Sequence, residues 1–236
     1  MKQYKNKGFT LVELLIVISL IAILSVAVLA TINPIEQANK AKDSTVQNDA
    51  AEVMNAYERY YVNGTEYPWM QYTEGAGDEI GVDDAVLFRS DQRGFGICYG
   101  PNSDSAVVAG TCNTSGTNLG NLIENDELKT SFAGKGEFQT PGDLYENSLY
   151  LFKAGGSGGS VYVCYVPKAK SNRQLTDKLY CLYDSNGQWG VTGTKEMVKA
   201  SEASGGRQCT ALPVTSANWG TPSFTGTVGM FRCVPE

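Results

Sequence analysis

The sequence predicts an α+β protein: a long N-terminal helix, transmembrane in its first half, whose second half packs on an antiparallel β-sheet head with disulfide-stapled loops. Three observations lead there. An apolar run from Phe9 to Ala30 follows a short basic start, a stripe of helical period continues beyond it, and β-rich segments with six dispersed cysteines fill the rest. A chain of 236 residues has room for one ordinary domain plus an appendage.

The apolar run comes first. Lys2, Lys5 and Lys7 precede it, Glu13 is its only charge, and no basic residue follows until Lys40. At ~1.5 Å per residue it reaches about 33 Å, enough for a hydrocarbon core of ~30 Å. The lysines place its N-terminal end in the cytoplasm. A secretory signal peptide has a shorter apolar region, of ~7–15 residues. Val28-Leu29-Ala30 imitates its small-residue cleavage site, yet the run is too long. A plain membrane anchor fits the length but leaves Glu13 without a role, and its burial in hydrocarbon costs ~2–3 kcal/mol or more unless it is paired or protonated.

Beyond the run, Pro34 removes a backbone donor and is expected to kink or locally unwind the helix. Val46, Ala50, Val53, Tyr57 and Tyr60 then recur at helical spacing, the mark of a face turned to a core. Glu36 and Lys40 stand four apart in the favourable order. Asn63-Gly64 and Pro68 supply stop signals. The expected division is therefore 1–8 as leader, 9–62 as the long helix with 9–30 in the membrane, and 63–236 as the head.

In the head, Ser160 to Val166 and Leu179 to Tyr183 are rich in β-branched and aromatic residues and read as strands. Leu149 to Phe152 and Met230 to Val234 are further candidates. Folding the first two back about Asn172-Arg173 sets Tyr162 opposite Tyr183, Tyr165 opposite Tyr180 and Cys164 opposite Cys181. That register predicts a Cys164–Cys181 bridge. Cys98–Cys112 and Cys209–Cys233 are the simplest remaining pairs, although the spacing of six cysteines leaves other pairings open. None of the cysteines sits in a C-x-x-C pair, so disulfides in an oxidising compartment are a better reading than a metal or redox motif.

Composition narrows the function classes. With 19 Lys+Arg against 25 Asp+Glu the chain is acidic, which argues against a broad nucleic-acid surface. It has no histidine, so the usual general base and zinc ligand are missing. Gly155-Gly156-Ser157-Gly158-Gly159 matches G-x-S-x-G in letters only, and a flexible turn is the better reading. The acidic stretch Asp78 to Asp84 lacks EF-hand spacing and reads as a solvated loop; no metal and no cofactor is expected. Asn63-Gly64-Thr65 and Asn113-Thr114-Ser115 match the glycosylation sequon, a short pattern that carries little weight.

Gly8-Phe9-Thr10-Leu11-Val12-Glu13, behind lysines and ahead of Leu14-Leu15-Ile16-Val17-Ile18, resembles the cleavage and methylation motif of type IV pilins and pseudopilins. The resemblance implies cleavage after Gly8 by a prepilin peptidase, N-methylation of Phe9, and pairing of Glu13 with the N-terminal amine of a neighbouring subunit. Partners would be the membrane before assembly, the pilus assembly machinery, and other pilin subunits in a homopolymer at the cell surface. Many pilins also have a disulfide-bounded C-terminal region. The same motif serves pseudopilins of secretion or DNA-uptake systems and minor pilins with adhesive heads. A membrane-tethered enzyme is the remaining alternative, and the sequence assembles no catalytic constellation for it.

Overall fold

The computed structural model describes residues 8–31, 33–71, 80–90, 93–97, 119–139, 147–184, 195–200 and 230–235. The chain divides into two units, residues 1–39 and 40–236.

In the first unit, helix α1 runs from Leu11 to Thr31 and helix α2 opens at Pro34. Two side chains define these starts. Thr10 caps α1. Asn33 caps α2 by accepting from the Glu36 N–H at 3.2 Å, which makes Pro34 its first residue, where a missing N–H costs nothing. Proline thus starts a second helix at this point, separate from α1.

Helix α2 continues to Gly64, and the chain leaves it through Thr65 at φ 59. Ala50, Val53, Ala56, Tyr57 and Tyr60 are buried, with Val46 packed alongside, so the stripe read from the sequence faces a core. Its opposite side carries Glu52, Asn55, Glu58 and Arg59 in solvent. Tyr57 has no exposed surface and donates its hydroxyl to the Phe95 carbonyl. Trp69 and Phe95 pack against its ring at 5.5 and 6.0 Å between centroids.

Among the described residues six strands form one antiparallel sheet: β1 (Val86–Arg89), β2 (Leu149–Lys153), β3 (Val161–Tyr165), β4 (Tyr180–Asp184), β5 (Lys195–Lys199) and β6 (Met230–Val234). Their order across it is β1-β2-β3-β6-β4-β5. Alternate residues serve two cores, which is why the strands read as unbroken apolar runs. Phe88, Leu149, Leu151, Val163 and Tyr165 join the core that holds α2. Leu87, Tyr150, Phe152, Cys164, Phe231 and Cys233 make the other. Short helices α3 (Asn121–Glu124), α4 (Gly136–Gln139) and α5 (Lys170–Arg173) lie in the connections. Gly94 shows how closely the core is packed, since a Cβ there would lie 2.2 Å from a Phe88 ring atom.

The expected β3–β4 hairpin is not formed. The C-terminal strand β6 inserts between them, so Cys164 faces Cys233 and not Cys181. The bridge is Cys164–Cys233, with Cα atoms 3.9 Å apart, and it replaces both the Cys164–Cys181 and the Cys209–Cys233 pairings. Tyr180 pairs with Phe231 and Lys199 in place of Tyr165. Cys181 is also disulfide-bonded, while Cys98, Cys112 and Cys209 lie outside the described residues. The β1 and β5 strands were not read from the sequence at all. The G-x-S-x-G segment is the turn joining β2 to β3, with Gly156 at φ 95.

Two measurements check this arrangement. Peptide mapping without reduction is expected to yield a fragment joining Cys164 to Cys233, and Cys164→Ser should cost about 2–5 kcal/mol of stability. A Cys164–Cys181 fragment would refute the strand order. Burial also holds the Tyr57 hydroxyl well above its ordinary pKa. A pKa raised on folding contributes stability that is complete below the unfolded value of ~10 and is lost as the pH climbs past it. Denaturant midpoints should therefore fall more steeply above pH ~10 in the native chain than in Tyr57→Phe.

Candidate functional site

The candidate site is the first turn of α1 and the apolar surface behind it. From Leu11 to Val28 the helix has a mean hydropathy of 2.9, and none of that stretch is buried. Phe9 is 81% exposed and Leu15, within α1, 56%. An α1 of this composition has no polar face to turn to water. Its two serines are spent internally, Ser19 Oγ donating to the Ile16 carbonyl and Ser25 Oγ to that of Ile21, both at 2.8 Å.

Glu13 is held by Thr10. The Thr10 N–H and hydroxyl both donate to Glu13 Oε2, at 2.9 and 2.8 Å, and the Glu13 N–H donates to Thr10 Oγ1 at 3.2 Å. This is a capping box, with threonine at the N-cap and glutamate three residues on. The sequence reading missed it, although Thr10-Leu11-Val12-Glu13 is the S/T-x-x-E pattern. In lipid the box matters more than in water, because no solvent satisfies the free N–H groups of a first turn. Oε1 receives no hydrogen bond from the described residues, so the carboxylate can accept another donor without giving up the cap.

The other predicted site residues fall as follows. Gly8 is exposed, with open space where a Cβ would stand, and Phe9 follows it outside the helix. The leader residues before Gly8 lie outside the described residues. Pro34 stands at the start of α2, Cys164, Cys181 and Cys233 lie in β3, β4 and β6, and Cys98, Cys112 and Cys209 lie outside the described residues. Of the acidic stretch, Asp78 and Glu79 lie outside the described residues, while Asp84 Oδ2 accepts from the Gly81 N–H at 2.7 Å. A buried ammonium serves that loop: Lys153 Nζ donates to the carbonyls of Ala154 and Gly156, both at 2.9 Å, and to that of Asp84 at 3.4 Å. Burial pushes the Lys153 pKa down, and nearby Asp83 and Asp84 oppose the shift. Asn63 of the first sequon donates to Glu127 Oε1 at 2.9 Å. Asn113 of the second lies outside the described residues.

Sequence reasoning also missed Asp43. This carboxylate is 2% exposed and accepts from the Lys168 and Ala169 N–H groups, at 2.7 and 3.0 Å, and from Asn172 Nδ2 at 2.7 Å. It fastens α2 to the segment that follows β3. A polar residue close to the stripe was the only signal.

Residues 3–29 match the family described as the prokaryotic N-terminal methylation motif. The chain therefore carries the leader signature of type IV pilins and pseudopilins, ahead of an α+β body with an apolar N-terminal helix and a disulfide in its sheet. No curated protein and no solved structure matches it. Proteins with this signature are structural rather than enzymatic, and the motif together with the exposed α1 fits a membrane-anchored precursor.

Replacing Asp43 with alanine strands three buried or half-buried donors, which should lower stability by roughly 2–4 kcal/mol, whereas Asp43→Asn should cost less. Chemical denaturation of the two variants checks the order, and equal losses would contradict it.

Proposed function

We propose that this chain is the precursor of a structural subunit of a type IV pilus-like filament. Residues 1–8 are the leader, α1 is the membrane anchor and later the filament core, and the remainder of the chain is displayed outside the cell. A prepilin peptidase hydrolyses the Gly8–Phe9 bond, and the new amine of Phe9 is N-methylated. Removing Lys2, Lys5 and Lys7 leaves 16 basic against 25 acidic residues, formally −9, so the filament is anionic and remains soluble.

The observation that carries this reading is one carboxylate in the first turn of a helix that is apolar on every side, within the matched methylation motif. An ammonium and a carboxylate are each costly alone in hydrocarbon and tolerable as a pair. The Phe9 amine of one subunit meets Glu13 of its neighbour, and the free Oε1 can take it while Thr10 keeps Oε2. Pairing thereby neutralises charge and sets the axial register. Association of α1 helices replaces lipid contact with close packing. A head of this size with several bridges suits a surface-exposed filament.

Mass spectrometry of the mature protein should find a chain beginning at N-methylated Phe9. Retention of Lys7-Gly8, or a start at Thr31, would overturn the reading. Glu13→Ala should abolish or strongly reduce sheared filament yield while the protein remains in the membrane fraction.

A further inference from the structure

The two ends of the head part of α2 are unlike, and each displays one large apolar side chain. Within residues 40–236, the exposed large apolar residues among those described are Val62, at 78%, and Leu175, at 40%. Val62 belongs to an open groove at the C-terminal end of α2, lined with Asn55, Glu58, Arg59 and Asn63. Arg59 is committed to Glu127, with Nε 2.9 Å from Oε2 and a second bond of 2.6 Å to the Glu127 carbonyl. The same contact holds the segment after α3 beside the groove, bringing exposed Glu124 and Asp126 with it and Lys129 as the one base, and Glu58 and Glu66 are exposed on α2 and just after it. Counted over the described residues, acidic groups outnumber basic ones at this end.

Leu175 follows α5, which Asp43 clamps to the other end of the same helix stretch through Lys168, Ala169 and Asn172. Asp43 and Val62 are about 28 Å apart along the α2 axis at ~1.5 Å per residue. Lys170, Arg173 and Lys178 flank Leu175, with Asp177 the acid among them, and Lys42 and Lys168 line one pocket at that corner with Asp43 and Glu137. Counted over the described residues, basic groups outnumber acidic ones at this end.

An apolar residue in an acidic frame and another in a basic frame are complementary to each other, not to themselves. A two-fold dimer would set like charge against like. Head-to-tail stacking sets opposite charges together, and a repeated heterologous contact that does not close generates a helical filament. We propose that the Val62 groove of one subunit receives the Leu175 segment of the next copy of this chain. The proposal rests on the filament reading above and adds the head contact that would set subunit spacing alongside α1.

The test is a Val62→Cys, Leu175→Cys double variant of the full-length chain, assembled in its native cells, with sheared filaments run on non-reducing gels. No described cysteine is free, so new multimers report the engineered pair. The expected result is a disulfide ladder in the double variant and none in either single variant. Filaments without a ladder, or dimers formed by Val62→Cys alone, overturn the head contact and leave the filament reading standing. Absence of any filament from the native chain overturns the filament reading itself. Should the cysteine variant not assemble, charge reversal decides. Glu58→Lys and Lys170→Glu should each lower filament yield, and their combination should restore it. Failure to restore, or no loss in the single variants, overturns the contact.

Discussion

Helix α1 has no inside, and every other feature of the N-terminal unit answers to that constraint. A buried aliphatic side chain is worth about 1.5–3 kcal/mol relative to one left in water. From Leu11 to Val28 the chain buries none of its apolar residues on itself. Only lipid or other apolar helices can supply the missing partner. Against that background Glu13 is an expensive residue, and the Thr10 bonds show how the expense is contained. Two donors meet Oε2, and the glutamate in turn completes the first turn of the helix. One acid thereby serves a local purpose and keeps an oxygen for a second donor.

The head solves a different problem. Its sheet is apolar on both faces, so each face needs a cover, and the second half of α2 covers one of them with Ala50, Val53, Tyr57 and Tyr60. Hydrophobic packing sets the closeness of this contact, while polar anchors set its position. Asp43 binds the segment after β3 to one end, Lys135 reaches Asp49 at 2.5 Å midway, and Arg59 reaches Glu127 at the other end. Asp43 matters most among these because it is buried and receives three hydrogen bonds, two of them from backbone N–H groups. The Arg59 pair is half in solvent and contributes less.

The position of β6 has a further consequence. The last strand lies in the interior of the sheet, between β3 and β4, and a disulfide spanning 69 residues ties it to β3. Pairings between segments so distant in sequence are intrinsically slow to form, because loop closure precedes the contacts that reward it. Once formed, the bridge narrows the unfolded ensemble and holds the C-terminal strand in place.

Local patterns in the sequence determined much of this protein. The apolar run determined α1, the stripe at helical spacing determined which face of α2 is buried, and β-branched and aromatic runs located β2, β3, β4 and β6. The Gly8 to Glu13 motif marked the candidate site, because its residues are adjacent in sequence and need no fold to be recognised. Other features only the tertiary structure decided. Neighbouring strands in sequence suggest a hairpin, yet β6 arrives from far along the chain and takes the place between β3 and β4, which also reassigned the partner of Cys164. Lys195-Glu196-Met197-Val198-Lys199 has no strand signature of its own and pairs because β4 offers an open edge. Asp43 is buried because the segment after β3, with α5, folds against it. Periodicity is a property of adjacent residues and survives in the sequence, whereas strand order and buried polar contacts depend on segments that meet only once the chain has folded.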